Sequence, residues 1–351
     1  LSRPRPQRAE HAKFPARDCL VLWKPARRLC LAIRVPSRSV QAKHRRPTYP
    51  SASFRKENPV RSVLNISYAP LMLLGYNGAA VWLVELKVAW FWLLPLLLAA
   101  IATSFAAERI IPYEPAWNRG HGDTGRDLIY AIAYEASVYL SVALIPLLTL
   151  LSPATSLWPS MWPLWGQLLL AVVVADFGIT LCHYASHRSE WLWRFHAPHH
   201  SVTRMYGFNG LIKHPIHQAL ETVAGTVPLL LMGMPVAIGL LLGFAISIQL
   251  LLQHSNADMR LGPLRYILAL APLHRFHHQK WAGIGDVNFG LFTNFWDYLL
   301  GTAVYAPDKR FSSDDLGIGK QPDYPVGYVG QLVAPFRTQP KQYGVAVEPA
   351  E

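Results

Sequence analysis

Polar and apolar positions along the chain separate into four long apolar runs, at residues 88–107, 128–151, 163–182 and 219–252, with polar segments between them. Each of the first three has about the 20 residues that cross a hydrocarbon core of roughly 30 Å as a helix. The fourth would be about 50 Å long as one helix, too long for a single crossing. Gly233-Met234-Pro235 interrupts it near the middle, so it reads as a helical hairpin that enters and leaves by the same face. The predicted fold class is all-α: a polytopic membrane helical bundle.

Composition agrees, with 52% hydrophobic and only 15% charged residues against a usual charged share of about 25%. The net charge of +12 would suggest a nucleic-acid partner if it were spread along the chain. It is not: residues 1–62 carry net +13 and the rest net −1, so no nucleic-acid function is expected. That extension mixes Arg, Pro and Ser without hydrophobic periodicity and lacks the apolar stretch of a secretory signal. It is expected to be disordered, either an organelle transit peptide or a stretch that is not native to the chain. The division is then 1–62 extension, 63–162 N-terminal transmembrane helices, 163–302 catalytic domain with the hairpin at 219–252, and 303–351 tail. The cysteines are Cys19, Cys30 and Cys182, too few for a disulfide framework or a four-cysteine zinc site.

Loop charges give an orientation. Residues 152–162 have no charge, whereas the segment 108–127 has Arg109, Arg119 and Arg126. The histidine-bearing side adds Arg188, Arg194, Arg204, Lys213, Arg260, Arg265, Arg275 and Lys280. The positive-inside rule makes that side cytoplasmic. Three crossings before His183 would, however, leave the basic extension on the opposite side.

Eleven of the 14 histidines fall between residues 183 and 278. HYASH places His183 and His187 at i and i+4 on one helix face. HAPHH (His196, His199, His200) and HRFHH (His274, His277, His278) repeat an i, i+3, i+4 pattern. Eight imidazoles exceed the four to six positions of one ion and imply two. Imidazole suits Fe, Zn, Cu and Ni alike; open positions and a buried apolar setting favour redox iron. Upstream, Asp176 shares a helix stripe with Thr180, His183 and His187, and is expected to accept the second N–H of a ligating histidine. His121 stands alone in a polar loop, and His11 and His44 lie in the extension.

The order Asp176, HYASH, HAPHH, His254 in HSNADM and HRFHH resembles the fatty acid hydroxylase and sterol desaturase superfamily of membrane-bound di-iron enzymes. Arg188, Leu192-Trp193, Ser201, Pro272, Asn288-Phe289-Gly290, Trp296-Asp297 and Gly301-Thr302 extend the likeness over roughly residues 166–336. It implies a histidine-rich di-metal cap on the cytoplasmic side of the bundle, with two Fe ions and O2 as co-substrate. It also implies hydroxylation or desaturation of a lipid C–H bond. The implied ligands are His183, His187, His196, His199, His200, His274, His277 and His278, with His254 as a single ligand between boxes. Some members carry a further histidine four residues after it, where this chain has Asp258. A tenth ligand would then come from His217, His214 or Asp258.

With no G-x-G-x-x-G, CxxC or haem-binding module, electrons are expected from a separate ferredoxin, rubredoxin or cytochrome b5 with its reductase. Trp191, Trp193, Phe195, Tyr206, Phe208, Trp281, Phe289, Phe292 and Trp296 read either as walls of a substrate pocket or as an interfacial aromatic belt. The leading function is lipid hydroxylation, on a sterol, fatty acyl or related lipid. A desaturase is the nearest rival, and a membrane metal-binding or transport protein or a zinc hydrolase a distant one. Against a transporter stands the shortage of ionisable residues along the helices.

Overall fold

The computed structural model describes residues 58–149, 157–281 and 283–337; the expectations for the extension and the end of the tail fall outside these described residues. Helix begins earlier than the apolar runs indicate. Asn58 caps α1 (Pro59–Pro70), its side chain accepting the Val60 N–H at 3.0 Å, and Pro59 sits where a helix needs no N–H. Pro70 cannot donate to the ladder, and the helix widens after it into a π turn (Leu71–Tyr76) before resuming as α2 (Asn77–Glu85). The chain reverses at Lys87, whose φ is 54°, and returns as α3 (Leu93–Ile110).

The three spans expected before His183 are present, and this extra leg is added to those that precede His183. Four precede it: α1 with α2, then α3, α4 (Thr124–Ala143) with its short continuation α5 (Ile145–Thr149), and α6 (Leu164–Ser186). Asn65, Tyr68, Pro70, Gly75 and Asn77 break up the apolar pattern of the first leg and concealed it. Its start is tied to the histidine end of the molecule: Arg61 donates to the Pro112 carbonyl at 3.2 Å, and the Arg260 N–H donates to the Asn65 carbonyl at 2.8 Å. The described chain therefore begins at the histidine end of the bundle.

After α6 come α7 (Glu190–His200), α8 (Pro215–Leu231), α9 (Val236–His254), α10 (Ala271–His277), α11 (Phe295–Leu300) and α12 (Tyr328–Val333). Helices α8 and α9 form the hairpin. Gly233 turns the chain at φ 87°, and Pro235 leads into α9. Among the described residues there is no strand, only the isolated bridges Pro112 to Ala257, Leu268 to Thr293 and Gln279 to Leu316.

Among the described residues four helices are long and apolar enough to cross a membrane: Trp90–Ile110, Thr124–Leu147, Leu164–Ser186 and Val236–His254. The apolar outer face of α6 shows why water is not its solvent: Leu169, Val173, Phe177 and Leu181, one turn apart, are all exposed. The protein is an all-helical membrane protein. Helix α9, apolar on every side, occupies the centre, with Ile238, Leu241, Ile248 and Leu252 fully enclosed. Helices α6 and α8 approach until a Cβ on Gly178 would stand 2.0 Å from the Ala224 carbonyl oxygen, so only glycine permits this contact. That approach brings the C-terminal end of α6 against the N-terminal end of α8, where the histidines begin.

Candidate metal centre

Four helix ends deliver the histidines. The end of α6 carries His183 and His187, α7 carries His196, His199 and His200, α9 ends on His254, and α10 carries His274 and His277 with His278 next. All nine are buried. They converge as two groups: His183, His187, His196, His200 and His277, and His199, His254, His274 and His278. Within each group the ligand atoms lie within 4.8 Å of one another.

The hydrogen bonds of these rings identify which nitrogen is free. A backbone carbonyl only accepts, so the nitrogen facing one must donate. His183 donates from Nδ1 to the Phe289 carbonyl (2.9 Å) and His277 to Val287 (2.8 Å). His199 donates to Ile212 (3.2 Å) and His254 to Leu250 (3.2 Å). A neutral imidazole has one N–H, so Nε2 of each is a lone pair. Yet Nε2 of His183 lies 2.9 Å from Nε2 of His277 and 3.1 Å from that of His196, and Nε2 of His254 lies 3.3 Å from that of His199. His254 also meets His278 at 3.2 Å and His274 at 3.1 Å. Lone pairs facing one another at this range repel unless a cation lies between them. An edge of about 3 Å is also what neighbouring nitrogens about 2.1 Å from one ion would span. The donor set fits two metal ions.

Burial first, and neighbouring imidazoles second, hold His187, His196, His199, His200, His274 and His278 well below the usual histidine range. Burial takes His277 down to about 4, against the opposing pull of the Val287 carbonyl. The rings are neutral at physiological pH, the protonation state a metal ligand needs.

Asp176 requires a correction. It touches no imidazole; it accepts the N–H groups of Phe292 (2.7 Å) and Thr293 (3.2 Å), the Thr293 hydroxyl (2.7 Å) and the Trp296 indole (3.0 Å). It steers the site through the loop that presents the Phe289 carbonyl to His183. Asp297 secures the same loop, accepting the N–H groups of Phe289 (2.7 Å) and Gly290 (2.8 Å) and the Thr302 hydroxyl (2.7 Å). A carboxylate that does reach one of the nine clustered histidines is Asp286, 2.9 Å from Nδ1 of His187, which sequence reasoning missed.

The candidates for a tenth ligand fall outside both groups. His214 caps α8, accepting the Ile216 N–H at 3.2 Å, and its other nitrogen donates to the Leu332 carbonyl. Asp258 faces Arg310 at 3.7 Å. His217 comes nearer: its ring centre is 4.5 Å from that of His196, but its Nε2 meets the Ser186 hydroxyl at 3.0 Å.

Of the two readings of the aromatic residues, pocket walls or interfacial belt, the pocket finds little support. A cavity of about 200 Å³ lies between α4, α8 and α9, and none of the nine aromatic candidates lines it. Phe289 packs edge-on against His183, Trp193 packs against His187, and Trp193 with Trp281 walls a narrow crevice beside His187, His200 and His277.

A helical membrane protein that gathers nine neutral imidazoles into two buried groups, each able to hold an ion, has the build of a metal-dependent membrane enzyme. The profile of the fatty acid hydroxylase family matches residues 168–302. The ornithine lipid hydroxylase OlsE of Rhizobium tropici is 34% identical over 301 residues, covering 83% of this chain and 89% of that protein. An alkylglycerol monooxygenase of Xenopus tropicalis is 27% identical over 153 residues, which is 44% of this chain and 32% of that protein. Sphinganine C4-monooxygenase 2 of Arabidopsis thaliana is 25% identical over 148 residues, 41% of this chain and 57% of that protein. No solved structure matches. The chain belongs to the fatty acid hydroxylase family and is an oxidoreductase.

Proposed function

We propose that the protein is a membrane-bound di-iron hydroxylase that uses O2 to hydroxylate a lipid, with an amino-acid-headed lipid as the first substrate to test. The observation that carries this reading is the pair of imidazole groups whose lone pairs face one another. His183, His187, His196, His200 and His277 would hold one iron, and His199, His254, His274 and His278 the other. Two irons bound there supply the binding and reductive activation of O2. In the overall reaction one oxygen atom enters a lipid C–H bond and the other leaves as water, consuming two electrons and two protons. The electrons come from a separate donor such as a ferredoxin, a rubredoxin or cytochrome b5.

The chain's own residues orient and enclose. Phe289, Val287, Ile212 and Leu250 fix the tautomers of four rings through their carbonyls, and Asp286 fixes that of His187. Burial of all nine excludes bulk water. The choice of lipid follows from the relative that spans most of the chain and acts on an ornithine lipid.

The histidine face is taken as cytoplasmic. Arg204, Lys213 and Arg275 carry no weight in that assignment, because they are buried in ion pairs or against carbonyls. Exposed Arg188 and Arg310, and Arg61 beside Pro112, support it instead.

Mass analysis of lipids after turnover of the iron-loaded protein under isotopically labelled O2 tests the reaction. Gain of one labelled oxygen atom is the expected result. Loss of two hydrogens with no oxygen would make the protein a desaturase, and unchanged lipids would overturn the reading.

A further inference from the structure

Three buried ion pairs stand out among the described residues: Arg204 with Asp123, Arg126 with Asp127, and Lys213 with Glu221. The first two knit the loops beside the metal centre. The third lines the cavity of about 200 Å³ between α4, α8 and α9.

The two ends of that cavity differ in chemistry. Tyr134 and Gln218 stand with Lys213 and Glu221 at one end, while Ile145, Leu230 and Met234 close the other near the α8–α9 turn. Val223 and Val227 line the cavity and are also exposed on the outer face of α8, so its mouth opens on the apolar flank of the bundle. The charged end abuts the metal centre. Glu221 lies 3.8 Å from Nδ1 of His217, whose ring packs against His196, and Ile212, next to Lys213, accepts from His199. Burying two charges is expensive, and a packed apolar pair usually does as well for stability. A pair retained on the wall of a cavity open to lipid points to a ligand.

We propose that this cavity receives the headgroup end of a lipid and that Lys213 and Glu221 select a zwitterionic, amino-acid-like head. Lys213 takes its carboxylate and Glu221 its ammonium. The inference rests on the reading of the chain as a lipid hydroxylase and adds the residues that choose the substrate. The cavity is smaller than the roughly 300–1,000 Å³ of sites that enclose a whole ligand, which suits a head whose chains remain in the bilayer. Among the described residues no arginine lines it, so the cation that meets the head's acid group is the single Lys213 ammonium. Because the charged end is the end beside the histidines, the headgroup rather than the chain terminus comes closest to the metal centre.

The test uses full-length protein in lipid nanodiscs and three probes of matched acyl length: an N-acylornithine lipid, phosphatidylethanolamine and diacylglycerol. Native mass spectrometry of competition mixtures reads binding independently of turnover. The wild type is expected to prefer the aminoacyl lipid by about tenfold or more. In the double variant Lys213→Met/Glu221→Leu, that preference should fall to near parity while iron content holds. Removing both charges leaves no lone buried charge to unfold the chain. Equal binding of all three probes by the wild type, or a preference surviving in the double variant, overturns the inference. A preference for phosphatidylethanolamine overturns the carboxylate assignment. Selective binding of the aminoacyl lipid without oxidation of any lipid upholds the inference and counts against the hydroxylase reading.

Discussion

The two histidine groups are held in different ways. In the group of five, His183, His187 and His277 reach out to one loop, through the Phe289 carbonyl, the Asp286 carboxylate and the Val287 carbonyl. In the group of four, His254 is pinned to Leu250, one turn back in its own helix, and His199 to Ile212. One group hangs on a loop outside the bundle and touches a carboxylate. The other takes one of its four rings from α9, the innermost helix, and its pinning bonds go to carbonyls alone. An ion in the first would meet up to five nitrogen donors and a nearby negative charge; an ion in the second would meet up to four nitrogens. Nine similar residues therefore make two dissimilar sites, and the difference lies in what the second ring nitrogen holds.

The largest test of that contrast removes one donor from each group. His254→Ala leaves three donors in a group that has none to spare, whereas His277→Ala leaves four. Both should lower turnover by more than about 100-fold. Metal analysis should find His254→Ala without its second iron, while His277→Ala keeps part of its first. Identical iron loss in the two variants would erase the distinction between the groups.

Next in size is Asp297→Ala, which strips the acceptor from the Thr302 hydroxyl and from two backbone N–H groups of the loop whose carbonyls receive His183 and His277. It should cost about 3 kcal/mol of stability, read as a lower thermal midpoint, and weaken iron retention in the five-histidine group first. Equal weakening of both groups would mean that the loop supports the whole cap. Asp286→Asn is smaller: it removes the negative charge beside His187 but keeps an acceptor. About a tenfold loss of affinity for the first iron is expected, with the second unchanged, measured by competition with a chelator. His214→Gln and His121→Ala should change iron content in neither group. His214 spends both nitrogens on the backbone, and His121 pairs with Thr203 at the surface.

How much of this was readable beforehand follows from what each feature looks like in one dimension. Helices α3, α4, α6 and α9 declare themselves as uninterrupted apolar runs, and Gly233 and Pro235 mark the hairpin turn because their backbones can do little else. Eight of the histidines stand out because helical spacing puts i, i+3 and i+4 on one face, whereas His254, alone in its segment, is indicated only by the family resemblance. The leg formed by α1 and α2 does not stand out, since Asn65 and Tyr68 look like solvent-facing residues until they find Arg260 and Ser104 across the bundle. Asp286 sits in a loop without periodicity, and only the fold brings it to His187, 99 residues earlier. Lys213 was counted among the cations of a membrane face, because its pairing with Glu221 becomes visible only when α8 turns the two inward. Asp176 was recognised as costly and therefore employed, but its partners are backbone groups, which no residue pattern reveals.

The central claim is that these two groups hold two irons. Elemental analysis of the full-length protein, purified in the membrane-mimetic state in which it consumes O2, tests this most directly. Two irons per chain, reduced in His254→Ala and in His277→Ala but not in His121→Ala, is the predicted result. One zinc per chain without O2 consumption would contradict it.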